Sequence, residues 1–160
     1  MRSPTLLAFL ALLLGSTAAP AVVQPRPDAM VNCSDGPVAL GPNTALSLTL
    51  SLIPGIGNGL PADWWLVAAT PLGLYYDTPS GDWKPATQLS ELQPVYQGPL
   101  FDLPSIEALN VAGLPPGDYS FYFGVDILEN GQLDIDLLRF DSVEVIISAS
   151  SASSGNEMGR

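Results

Sequence analysis

Five oxygen-bearing side chains crowd one short stretch of this chain: Asp126, Asn130, Gln132, Asp134 and Asp136. Carboxylates, amides and a backbone carbonyl at such close spacing are the ligands a hard cation such as calcium takes. Read as an EF-type loop, the segment starts at Asp126 and runs through Asn130, Gly131, the carbonyl of Gln132 and Asp134. The match is partial, because Leu128 and Leu137 stand where that loop wants oxygen, so Asp136 or Glu129 would have to substitute. Two readings follow: a calcium site built from Asp126, Asn130, Gln132, Asp134 and Asp136, or an acidic hairpin that water solvates. The chain has no His and one Cys, Cys33, so transition metals lack their preferred ligands.

The second group is aromatic. Trp64 and Trp65 are adjacent, as are Tyr75 and Tyr76, and Trp83 follows in a turn. Neighbours in a strand face opposite sides, so one member of each pair can join the core while the other reaches the surface. Exposed rings at Trp64, Trp65, Tyr75, Tyr76 and Trp83 would let a pyranose stack, with Asp63, Asp77 and Asp82 accepting its hydroxyl hydrogens. The competing expectation is that these rings plug the core under loops.

What must position these groups is a set of strands. Residues 44–53 alternate, with Leu46, Leu48, Leu50 and Leu52 on one side and Ala45, Ser47, Thr49 and Ser51 on the other, the period of a half-buried strand. Residues 63–69 and 74–77 read as a hairpin turned by Pro71 and Gly73. Further strands are expected in 94–103, 106–111 and 119–128, with short helical turns only at 90–92 and 105–109, because Pro punctuates nearly every segment. For the acidic segment, a three-residue loop at Glu129-Asn130-Gly131, with Gly131 left-handed, would set Ile127 opposite Leu133 and Val125 opposite Ile135. That register places Asp126 beside Asp134 on the outer face, with Arg139 as the nearest cation for Asp136 or Asp141. Tyr119, after Pro115-Pro116-Gly117, resembles the tyrosine that enters a late strand of immunoglobulin-like sandwiches and bonds a nearby backbone group. The spacing as a whole predicts an all-β, immunoglobulin-like antiparallel β-sandwich of seven or eight strands.

Residues 1–21 read as an export signal, with Arg2, an apolar core over 6–14 and small residues up to Ala21. The apolar run is about half the roughly 20 residues that span a bilayer, so no transmembrane helix is expected once the signal is removed. An extended leader is expected over 22–35, the folded domain over 36–147 and a disordered tail over 148–160. About 139 residues remain, enough for one domain that buries roughly two-thirds of its unfolded surface. A single cysteine excludes an internal disulfide framework.

Acidic residues outnumber basic ones 16 to 5, which disfavours phosphate backbones and excludes nucleic acid as a partner. Without a histidine base or a recognisable nucleophile motif, no enzyme class is indicated. The blocks ADWWLVA (62–68), LYY (74–76), PLF (99–101), GLPPGDYSFYFGVD (113–126) and DSVEV (141–145) resemble a module found in exported proteins of Gram-negative, sulfate-reducing-type bacteria. The resemblance covers residues 62–147 and implies a secreted β-domain. In that group the segment after the Gly-Val-Asp is a richer Asp and Asn loop, from which Leu128 and Glu129 depart. The combined expectation is a non-enzymatic exported binding module, periplasmic, surface-bound or secreted, that meets a protein or carbohydrate partner outside the cytoplasm.

Overall fold

The computed structural model describes residues 24–150 and is an all-β sandwich of ten strands in two sheets. The export signal expected at 1–21 and most of the tail expected at 148–160 lie outside the described residues. The small sheet has the order β1 (Arg26–Val31), β3 (Leu46–Ile53), β8 (Leu103–Val111), all antiparallel. The large sheet runs β2 (Val38–Leu40), β10 (Arg139–Ile147), β9 (Gly117–Asp126), β4 (Pro61–Thr70), β5 (Gly73–Tyr76), β6 (Lys84–Ala86). Within it only the short β2 pairs in parallel, with β10. A further strand, β7 (Tyr96–Pro99), pairs with the first half of β4, on the side that β5 occupies further along. The count exceeds the expected seven or eight because β2, β6 and β7 are only three or four residues long. Such strands leave no periodic pattern in a sequence.

Alternation builds the core. Leu46, Leu48, Leu50 and Leu52 of β3 are at most 5% exposed. They meet Ala62, Trp64, Leu66 and Ala68 of β4, Phe121, Phe123 and Val125 of β9, and Val143 and Val145 of β10. Each fully buried Leu or Phe contributes roughly 1.5–3 kcal/mol. β1 joins the same core through Ala29 and Val31, both fully buried, and packs against β10, where the Asp141 carboxylate accepts the Ala29 N–H at 3.0 Å. The stretch expected to be an extended leader is therefore a strand of the sandwich, and the fold begins before residue 36. Two inward side chains, Ala29 and Val31, flanking an apolar Met30 in a Pro-containing hexapeptide were too weak a period to reveal it.

β4 is buried on both faces. Its inner residues enter the main core, while Trp65 and Val67 form a second cluster with Tyr76, Ala86 and Leu92, against which Leu74, Leu133 and Leu138 pack. The outer face of the large sheet thus needs a cover. The segment 127–138 and the loop holding the short helical turn Leu89–Glu91 supply it.

Candidate functional site: the anchored loop over the large sheet

β9 ends at Asp126 and β10 starts at Arg139, with Val125 paired to Arg139 and Gly124 to Phe140. The expected three-residue hairpin loop, with Ile127 opposite Leu133 and Val125 opposite Ile135, does not form. Segment 127–138 instead folds over the outer face, because Leu133 and Leu138 bury apolar surface there against the cluster of Trp65 and Val67. Gly131 does take the expected left-handed conformation, at φ +75°. Gly124 makes the close approach possible. A Cβ there would stand 2.9 Å from the Phe140 Cβ and 3.0 Å from the Arg139 carbonyl.

The carboxylate facing Asp126 is Asp63, its cross-strand partner on β4, and both are fully buried. Asp63 accepts three hydrogen bonds: Gln97 Nε2 at 2.8 Å on Oδ1, and the backbone N–H groups of Asn130 at 3.1 Å and Gly131 at 2.6 Å on Oδ2. Asp126 accepts Trp65 Nε1 at 2.9 Å on Oδ2 and the Leu128 N–H at 3.2 Å on Oδ1. Burial pushes the Asp126 carboxyl above the ordinary range, the donors from Trp65, Leu128 and Asp134 oppose that rise, and the charge of Asp63 adds to it. Each oxygen of this pair faces a protein N–H. The pair is an anchor that ties a loop to the sheet.

The other expected cation ligands lie apart from that pair. Asn130, Gln132 and Asp136 are exposed and Asp134 is half-buried. Asn130 closes the loop on itself, donating its Nδ2 to Asp134 Oδ2 at 2.9 Å and accepting the Gln132 N–H on Oδ1 at 2.7 Å. Among the described residues no three His, Cys, Asp or Glu side chains converge as a metal site. Arg139 donates to the Leu138 carbonyl, and Asp141 serves β1.

The aromatic residues also separate. Trp64 is buried in the main core, against Phe101 at 4.8 Å and Phe123 at 6.2 Å between ring centroids, with its Nε1 lacking an acceptor. Trp65 and Tyr76 are buried on the opposite face of the sheet. Tyr75 and Trp83 are half-buried and line a cleft between the sheets. The five rings form no common platform, and both tryptophans of the pair are buried because β4 is covered on both sides. Tyr119 behaves as its placement suggested, donating its hydroxyl to the Pro115 carbonyl at 2.8 Å.

Beside the anchored loop lies an apolar depression of about 350 Å3. Gly124 forms its floor between its cross-strand neighbours Trp65 and Phe140, with Tyr122 in the next row and Leu133 and Ile135 on the loop side. Phe140 and Ile135 are more than half exposed. Sequence reasoning passed over Tyr122 and Phe140, although the alternation of Phe121, Phe123 and Val125 already assigns Tyr122 to the outer face. It passed over Asp63 as an anchor because its partner strand is some sixty positions away in the chain. No protein-family model matches the chain, and no curated protein matches it.

Proposed function

We propose that this chain is a non-enzymatic binding module acting outside the cytoplasm, which receives an apolar part of its ligand in the depression between Trp65, Tyr122 and Phe140. The observation that carries this reading is the depression itself. It is lined almost wholly by carbon, and its loop wall is fixed in place by a buried carboxylate. Recognition sites are typically apolar hollows of this size on a preformed frame, and exposed aromatic rings are the residues that contribute most on binding. The chemistry of the residues supports the non-enzymatic reading: the chain has no His, and Asp63 and Asp126, the carboxylates buried among the described residues, are engaged by N–H donors. The export signal expected at the N-terminus supports a location outside the cytoplasm.

The test is nuclear magnetic resonance titration with the neutral apolar dye Nile red. Shifts are expected to cluster at Tyr122, Gly124, Leu133 and Leu138 and to vanish in Phe140→Asp. Shifts confined to other surfaces, or none, reject the site.

A further inference from the structure

The inner row of β8 is Leu103, Ile106, Leu109 and Val111, the partners of Leu52, Leu50, Leu48 and Leu46. On β3 these positions are at most 5% exposed, yet Ile106 is 43% exposed and its three companions are only half-buried. The difference has a topological cause. The sheets meet closely at β1 and β10, while at β8 the small sheet stops, with no further strand among the described residues. A cleft of about 270 Å3 opens there, lined by Ala68, Tyr75, Trp83, Leu109, Val111 and Phe121. The inward side chains of a fourth strand beside β8 would fill this cleft.

The edge of β8 is distinct from the other sheet edges. β2, β6 and β7 are too short to template a strand, and β1 has its Ala29 N–H engaged by Asp141. β8 offers nine residues, the longest of these edges, although Pro104 has no N–H to give and two bulges interrupt its register with β3. An unpaired edge specifies backbone as its complement, because only another extended chain can fill a row of alternating N–H and C=O groups.

Charge narrows the partner. No basic residue occurs between Lys84 and Arg139, and the net charge is −11. Glu107 projects from the outer face of β8, where Ser47 Oγ and Asn110 Nδ2 donate to it and hold its carboxyl below the ordinary range. A second copy of this acidic chain would set like charges against each other, which opposes pairing. We propose that β8 accepts an extended peptide strand, apolar at alternate positions and basic in between, whose apolar side chains enter the cleft beside Tyr75 and Trp83. This inference stands on the β8 edge alone and is independent of the depression on the outer face.

The experiment uses three blocked nine-residue peptides: alternating lysine and valine, alternating glutamate and valine, and lysine and valine of the same composition in two blocks. Amide exchange is followed along the whole chain. The alternating lysine peptide is expected to slow exchange within Leu103–Val111 by about tenfold or more at millimolar peptide, with an affinity that falls as salt rises. Ile106→Lys is expected to abolish the protection. Glu107→Lys, an exposed charge reversal that keeps the core intact, is expected to shift preference towards the glutamate peptide. Equal protection by the block peptide, protection centred on another edge, equal binding of the glutamate peptide, or no binding overturns the proposal.

Discussion

Asp126 and Asp63 set two fully buried acids side by side on neighbouring strands, an arrangement that costs stability unless donors surround it. Hydrogen bonds from Trp65, Leu128, Gln97, Asn130 and Gly131 do surround it, yet burial still leaves the Asp126 carboxyl raised above its ordinary 3.8. A carboxyl raised in the fold binds its proton more tightly there than in the unfolded chain. Its contribution is fully present below the unfolded value and is lost as pH rises through the raised folded value. The unfolding free energy of wild type minus that of Asp126→Asn should therefore fall as pH climbs from below 4, then level off. Urea titrations at stepped pH read this slope, and a difference that rises or stays flat contradicts it. Tyr119→Phe removes a single bond to the Pro115 carbonyl and should cost about 1 kcal/mol, leaving Nile red binding unchanged.

Strand β9 carries different duties on its two faces. Phe121, Phe123 and Val125 fill the core, whereas Tyr122, Gly124 and Asp126 receive segment 127–138 and the start of β10. Gly124→Ala would press a methyl group against the Phe140 Cβ and the Arg139 carbonyl, with an expected loss of about 1–3 kcal/mol in the chemical melt. The inner row of β9 was legible in the sequence because its alternation is strict. Segment 127–138 was not, since Ile127, Leu133 and Ile135 also alternate and mimic a hairpin. Only the long-range demand of Trp65 and Val67 for a cover decides between the two, and that demand is invisible until β4 is known to be central. β3 lies at the other extreme: its four leucines at period two announced the strand, and only its final position is exposed.

Across the whole molecule, the all-β class and the β4–β5 turn followed from local patterns, whereas the N-terminal boundary did not. Ala29 and Val31 are fully buried, so a chain beginning at Gly36 should lose its cooperative thermal transition, and retention of the wild-type melt would contradict the placement of β1 in the core. No helix among the described residues is long and apolar enough to cross a membrane. The acidity is spread over the molecule, with no basic residue between Arg26 and Lys84, which favours solubility and basic partners. The buried acids, by contrast, set the shape of one surface, and that role is the central claim. Amide exchange at Asn130 and Gly131, compared between wild type and Asp63→Asn, tests it most directly. Protected amides in wild type, both released by the substitution while those of Phe121 and Val143 stay slow, are predicted; amides that exchange freely in wild type, or that ignore the substitution, would contradict the account.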